Sequence, residues 1–219
     1  MCGRFTLRTP ASVLIRQFDL GAELQLPLRY NIAPTQQVPV VRAVDGARQL
    51  AMMKWGLIPS WADDPKIGYS LINARSETAA SKPSFRTAMK CCRCLIPADG
   101  FYEWRKDGKK KQPIYFRRHD DQPFAFAGLW ERWSRGAEPV ESCTILTTTA
   151  NALVQPYHDR MPVILSPNDY NAWLDPQTTP AATLSYLFEP CPVEELTAYP
   201  VNPVVNSARH EGADCIEAV

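Results

Sequence analysis

The sequence predicts an α+β fold: a single domain in which a curved, mainly antiparallel, barrel-like β-sheet is flanked by short helices. Three observations carry that expectation. Segments rich in aromatic and β-branched residues recur along most of the chain. Helix start signals are few. The 20 prolines are scattered, with no repeat, low-complexity tract or Gly/Ser linker, which favours many short elements joined by defined turns. The 219 residues fit one large domain, 1–219, and a hydrophobic content of 45% suffices for a substantial core.

In chain order, Thr9-Pro10 reads as an N-cap followed by proline at the first helical position, with Gly21 closing that helix. Val13, Leu14, Gln17 and Phe18 would line its inner face. Strands are expected at 48–58, 93–97, 100–105, 112–118, 124–133, 142–149, 162–166 and 195–201. Asp107-Gly108 marks a turn, so 100–105 and 112–118 should form a hairpin. Ser166-Pro167 and Thr179-Pro180 repeat the helix start signal, and the helix after Thr179 should stop before Pro190.

Composition excludes several function classes. Net charge is +1, so a nucleic-acid role would need a local basic patch rather than bulk charge. No apolar run is long enough to span a membrane, and the N-terminus lacks a secretory pattern. Seven cysteines is an odd number, which fits reduced thiols in a cytoplasmic protein. Cys91-Cys92-Arg93-Cys94 lacks a second CxxC or a spaced His pair, so ordinary thiols are expected there, not a metal site.

Cys2 is the most informative residue. Loss of Met1 would leave it as the N-terminus, carrying a thiol and an α-amine on adjacent carbons. With reference pKa values of about 8.5 and about 8, each is partly reactive near neutrality. The amine can form a Schiff base with an aldehyde, and the thiol can then close a five-membered thiazolidine. An internal cysteine cannot, because its nitrogen is an amide. A small apolar filler at a strand start is the alternative.

Glu103 lies in Phe101-Tyr102-Glu103-Trp104, where alternation puts Phe101, Glu103 and Arg105 on one face. If that face is interior, burial raises the carboxyl's pKa and suits it to proton transfer. If it faces solvent, Glu103 pairs with Arg105 or a lysine. Of the three histidines, His119 sits in a charged turn and His210 in a polar tail. His158, ahead of Val163-Ile164-Leu165, is the acid–base candidate by elimination, and a structural histidine is the alternative.

Asn73-Ala74-Arg75-Ser76-Glu77-Thr78 offers an amide and a guanidinium two residues apart, fit for a sugar oxygen and a phosphate. It also reads as a helix cap, with Asn73 or Ser76 capping and Glu77 in the first turn. Trp61 and Pro34 are either core or exposed wedges for stacking on bases. Lys106, Lys109, Lys110 and Lys111 crowd a hairpin tip, solvated or part of a basic rim.

Taken in order, Met1-Cys2-Gly3-Arg4, Tyr30-Asn31-Ile32-Ala33-Pro34, Trp55-Gly56-Leu57-Ile58-Pro59, Asn73-Ala74-Arg75-Ser76-Glu77-Thr78, Ala98-Asp99-Gly100-Phe101-Tyr102-Glu103-Trp104, His158-Asp159-Arg160-Met161-Pro162 and Val205-Asn206 resemble the SRAP family of abasic-site processing proteins. The resemblance runs the length of the chain. It implies a protein that senses abasic sites in single-stranded DNA during the DNA-damage response and links to them covalently. Cys2 would supply both nucleophiles, Asn73 would hold the sugar, Glu103 would shuttle protons, and His158 would contact the lesion. Arg4 and Arg75 would hold flanking phosphates, and Pro34 and Trp61 would lie at a bend in the strand. The family also carries a peptidase attribution, which here would remove only Met1. No cofactor or metal is implied. The expected partner is single-stranded DNA containing abasic sites, bound by a monomer in the cytoplasm and at the nucleoid when on DNA. Asp63 and Asp64, next to Trp61, place two acids near the supposed DNA path.

Two other classes fit the opening residues. Glutamine amidotransferases of the N-terminal-nucleophile type also begin Met-Cys-Gly, with the amine acting as base for the thiol. A non-catalytic DNA-binding module would keep Cys2 as a structural residue. Glutaminase activity set against aldehyde capture separates these readings.

Overall fold

A computed structural model describes residues 2–21, 25–108, 110–175 and 181–219, leaving aside the side chains of 106, 107, 110 and 181. Two sheets carry the chain. The first has five antiparallel strands: β1 (Phe5–Leu7), β2 (Arg29–Ile32), β7 (Gly100–Asp107), β8 (Lys110–Arg118) and β13 (Leu196–Pro200), ordered β13-β8-β7-β1-β2. The second contains β3 (Gln37–Val44), β4 (Ala47–Trp55), β5 (Asn73–Arg75), β6 (Arg93–Ala98), β9 (Phe124–Trp133), β10 (Val140–Thr149), β11 (Arg160–Pro162) and β12 (Ile164–Leu165). Its pairing path runs β10-β4-β3-β6-β9, and β9 pairs again with β10, so the sheet curls into a ring. Only β4 and β5 run parallel to β10. The α+β class with a curved, mainly antiparallel sheet and short helices therefore holds.

Both sheets feed one apolar core. Phe5 packs edge-on against Trp55 and Phe126, with ring centroids 5.2 and 5.7 Å apart, and Phe101 stacks on Phe116 at 5.0 Å. Each buried aromatic of this size contributes about 1.5–3 kcal/mol by leaving water. A smaller cluster of Tyr102, Tyr115, Val201, Val205 and Cys215 lies on the other face of β7, beneath the C-terminal segment. Successive residues of β7 thus serve two environments, as a period of two requires.

The helices correct the sequence reading in detail. The first, α1, spans Ala11–Phe18 and buries Leu14 and Phe18, with Val13 and Gln17 at its margin. Pro10, not Thr9, occupies its N-cap, and Thr9 gives its hydroxyl to Asp99. Asp19, in the left-handed region at φ 53°, closes the helix two residues before Gly21. Ser76 begins the single turn α2 (Ser76–Ala79) and Asn73 sits on β5, so neither caps it, although Glu77 does fall in its first turn. A third helix, α3, covers Arg86–Cys91. Ser166 accepts a hydrogen bond from the Asn168 N–H at 3.4 Å and Pro167 opens a 3-10 turn leading into α4 (Tyr170–Leu174), as expected. Thr179-Pro180 lies outside the described residues. Beyond it the chain forms 3-10 turns at Ala181–Thr183 and Ser185–Phe188, ending before Pro190.

The strands agree with the sequence reading where they are long. β9 matches 124–133, and β7 and β8 form the expected hairpin with Gly108 at φ 58°. The segment 48–58 stops short at Trp55, because Gly56 turns away at φ 125°. There a Cβ would stand 2.6 Å from the Gly68 carbonyl oxygen, so only glycine permits this backbone approach. The expected strand 162–166 divides into β11 and β12. The strands β1, β2, β3 and β5 were not expected.

Candidate functional site

The site forms where the N-terminal segment crosses between the two sheets. β1 pairs with β7 through Phe5↔Phe101 and Thr6↔Gly100, and the Tyr102 N–H donates to the Arg4 carbonyl at 3.1 Å. Continuing this antiparallel ladder brings Cys2 alongside the Glu103 stretch of β7. Cys2 is fully buried, and its Sγ lies 3.7 Å from the Arg4 carbonyl oxygen. Burial first, and then the Glu103 carboxylate, push its thiol far above the ordinary range. The thiol is therefore a protonated group at rest.

Asn73 reaches this point from the second sheet. β5 lies parallel to β10 with Ile145 opposite Asn73. From there the Asn73 Nδ2 donates to the Cys2 carbonyl at 2.8 Å. Its Oδ1 is buried and has no hydrogen-bond partner among the described residues. A buried acceptor without a donor costs roughly 1–3 kcal/mol, which a bound hydroxyl would recover.

Glu103 is 4% exposed, on the interior face beside Phe101, so the solvent-facing alternative does not apply. Burial raises its carboxyl to about 7, with a further upward push from Asp159. Arg105, on the same strand face, is exposed. The Asp159 effect also ties the His158 loop to this centre. The Arg160 N–H donates to His158 Nδ1 at 2.9 Å, which leaves the ring proton on Nε2. The Asp159 carboxylate also lies 2.8 Å from Nδ1, a contact that needs a proton on Nδ1 and so competes with the Arg160 bond. Burial lowers the pKa of His158 and favours the neutral ring, whose Nε2–H tautomer accepts the Arg160 bond.

The loop is clamped from the side. Arg160 forms a two-bonded fork with Glu77 at 2.6 and 2.8 Å and donates to the Thr147 carbonyl at 2.6 Å. That fork joins the Asn73 segment to the His158 segment. Sequence reasoning places Glu77 in a helix's first turn and gives Arg160 no role of its own. Their opposite charges, each inside a motif-bearing segment, were the available signal.

The two arginines differ. The Arg4 guanidinium donates to Asn31 Oδ1 at 2.5 Å and to the Val205 carbonyl at 2.7 Å, and lies 6.0 Å from the Trp104 ring. Arg75 pairs with Thr147 through the backbone of β5 and is exposed, and its guanidinium makes no hydrogen bond among the described residues. Pro34 is half-buried in the turn Ala33–Gln36, where the Gln36 N–H donates to the Ala33 carbonyl at 3.3 Å and Thr35 takes φ 74°. Trp61 is 48% exposed, with its indole N–H 3.4 Å from the Pro83 carbonyl oxygen. The neighbouring acids have local roles: Asp64 caps a 3-10 turn through the Lys66 N–H, and Asp63 pairs with Arg135 at 2.8 Å. Lys109 lies outside the described residues, and Lys111 is exposed.

All seven cysteines are free thiols, and Cys91 and Cys92 stand with sulfurs 3.2 Å apart. No helix among the described residues is long and apolar enough to cross a membrane.

Comparison with known proteins agrees along the whole chain. The model of the family described as SOS response associated peptidase (SRAP) matches residues 1–208. The chain is 42% identical over 223 residues to the abasic site processing protein YoqW of Bacillus subtilis, covering all of both chains. It is 30% identical to the abasic site processing protein YedK of Escherichia coli, again over the full length of both. It is 32% identical to the abasic site processing protein HMCES of Xenopus tropicalis, covering 87% of this chain and 66% of that one. A crystal structure of a Bacteroides thetaiotaomicron protein superposes with a TM-score of 0.88 at 26% identity, covering 100% of both chains. With its family model matched from the first residue to position 208, the chain belongs to the SRAP family.

Proposed function

We propose that this protein captures abasic sites in single-stranded DNA and links to them covalently through Cys2 as a thiazolidine. The observation that carries this reading is the setting of Cys2: a buried thiol whose own carbonyl is fixed by Asn73, next to a buried carboxyl poised at about 7. The names of the relatives supply the class of DNA lesion.

Removal of Met1 puts the α-amine on Cys2. The ring-opened deoxyribose presents an aldehyde at C1′. Because burial keeps the thiol protonated, the amine attacks first. The carbinolamine hydroxyl takes a proton and leaves as water, giving the iminium. The sulfur then bonds to that carbon, the C=N electron pair returns to nitrogen, and the thiol proton passes to a base. One water is released overall. A carboxyl titrating near 7 serves both halves, as acid for the departing hydroxyl and as base for the thiol. Asn73 Oδ1 is left for a sugar hydroxyl. His158, with Nδ1 occupied, offers Nε2–H to the lesion.

Recognition derives from the missing base. The backbone and the gap are what remain to be read, so Arg4 and Arg75 hold phosphates while Trp61 and Pro34 support the bent strand. The protein acts as a monomer, in the cytoplasm and at the nucleoid when on DNA. The test is intact mass spectrometry after mixing the protein with a single-stranded abasic oligonucleotide. The expected product has the mass of protein without Met1 plus oligonucleotide minus one water and survives denaturation, whereas Cys2→Ala should give at most a reversible, borohydride-trappable imine and no stable adduct. Hydrolysis of glutamine without any DNA adduct would instead assign the amidohydrolase reading.

A further inference from the structure

His210, Asp214 and Cys215 stand apart from this site, on the C-terminal segment that covers the outer face of β7. We propose that these three side chains bind a divalent transition metal of the zinc class. Their ligand atoms all lie within 4.8 Å of one another, the one such group among the described residues. His210 Nε2 is 2.9 and 2.8 Å from the two Asp214 carboxylate oxygens. The 3-10 turn Ala213–Ile216, whose Cys215 N–H donates to the Gly212 carbonyl at 3.1 Å, presents Asp214 and Cys215 to the histidine.

The donor set is one nitrogen, one oxygen and one sulfur, which suits a borderline cation and not calcium or magnesium. Tetrahedral zinc with bonds of about 2.0–2.3 Å separates its ligands by roughly 3.3–3.6 Å. The His–Asp pair therefore opens by roughly half an ångström, within side-chain freedom. Gly212 supplies a second observation. A Cβ there would stand 2.7 Å from Asp214 Oδ1 and 3.8 Å from His210 Nε2, so glycine keeps that flank of the cluster clear. The backbone at Gly212 is extended, at φ 173°, so glycine is not required for conformation.

Binding breaks the Cys215 S–H bond, forms a metal–sulfur bond and releases that proton to water. The imidazole proton relocates to Nδ1 as Nε2 takes the metal. Water fills the fourth position, since the His210 and Asp214 side chains are 39% and 40% exposed. The metal would fasten the C-terminal clasp. The His210 carbonyl accepts from Asn31 Nδ2 at 2.8 Å, and Asn31 Oδ1 in turn receives Arg4.

The experiment is calorimetric titration of the chelator-stripped full chain with Zn2+, with Co2+ as a spectroscopic probe. One equivalent of Zn2+ should bind and raise the melting temperature, and Co2+ should show a thiolate charge-transfer band. Asp214→Asn and Cys215→Ser should each lose the equivalent. Gly212→Ala should weaken it at least tenfold while the metal-free melting temperature stays unchanged, which keeps the test open if Cys215→Ser folds poorly. Absence of saturable Zn2+ binding overturns the proposal. So does an equivalent that survives Asp214→Asn and Gly212→Ala and disappears only in Cys91→Ser or Cys92→Ser.

Discussion

Cys2 and Glu103 are buried, and Asn73 reaches in to hold the Cys2 carbonyl, whereas Arg75 and Trp61 stand in solvent on the segments leading away from them. In the interior, burial displaces both the thiol and the carboxyl upward, so protonation states are set by the fold. At the rim, side chains keep their freedom, and under the proposed function they would meet the DNA strand by charge and stacking. The comparison teaches a division of labour. Interior substitutions should change reaction rate and its pH dependence, and rim substitutions should change affinity and its salt dependence.

The largest expected effect belongs to Glu103→Gln. It should slow adduct formation about 10²-fold or more while DNA affinity holds. The wild-type rate should change around pH 7, where this carboxyl titrates, and the variant should lose that inflection. The stability sign is also fixed. A carboxyl raised from 4.5 to about 7 by folding stabilises the native state fully below about 4.5, and that contribution fades as pH rises through 7. Burying the charged form costs up to roughly 3 kcal/mol at alkaline pH. Glu103→Gln should therefore melt no lower than wild type at pH 8. A variant that cross-links at the wild-type rate across pH 5–8 breaks the interior half of the comparison.

The clamp between Arg160 and Glu77 lies between the two regimes. Arg160→Lys keeps the charge and loses the fork. With Glu77 half exposed, the stability loss should be about 1 kcal/mol, read as a melting shift of a few degrees. The adduct rate should fall several-fold as the His158 loop loosens. An unchanged rate with a lowered melting temperature would make the fork structural only.

At the rim, Arg75→Ala should reduce the salt dependence of single-strand binding by a slope of about 0.7, with folding untouched. Arg4→Ala should give a similar slope change and a lower melting temperature, because it also releases Asn31 and Val205. If Arg75→Ala leaves the slope unchanged, Arg75 is off the DNA path. This is the smallest effect of the set.

The same contrast shows what the sequence made legible. Long strands such as Phe124–Trp133 display their pattern, and the Asp107-Gly108 hairpin declares its turn. Three-residue strands such as Phe5–Leu7 and Asn73–Arg75 are too short to show a period, although they carry or flank the site. Pro39 masks Gln37–Val44, yet that strand meets β6 only at Val41↔Leu95, so a missing donor nearby is tolerated. Thr9 has the composition of a cap and is drawn instead to Asp99, a partner 90 residues away. The Arg160–Glu77 fork spans 83 residues and has no local signature. The sequence singles out Cys2 by its place behind Met1, Glu103 by its aromatic neighbours and His158 by elimination among three histidines. The bonds that orient them were not legible, because they arise only when the two sheets meet.

The central claim is that the link needs both nucleophiles of Cys2 at a free chain terminus. The direct measurement compares wild type with a protein carrying an uncleavable extension before Cys2, each mixed with single-stranded abasic DNA and analysed by denaturing gel and intact mass. The extended protein retains the thiol, Asn73 and Glu103, but its nitrogen is an amide and cannot form the imine. The account predicts a stable adduct from wild type and none from the extended protein, whose thiol alone gives only a labile hemithioacetal. A stable adduct at undiminished yield from the extended protein would contradict it.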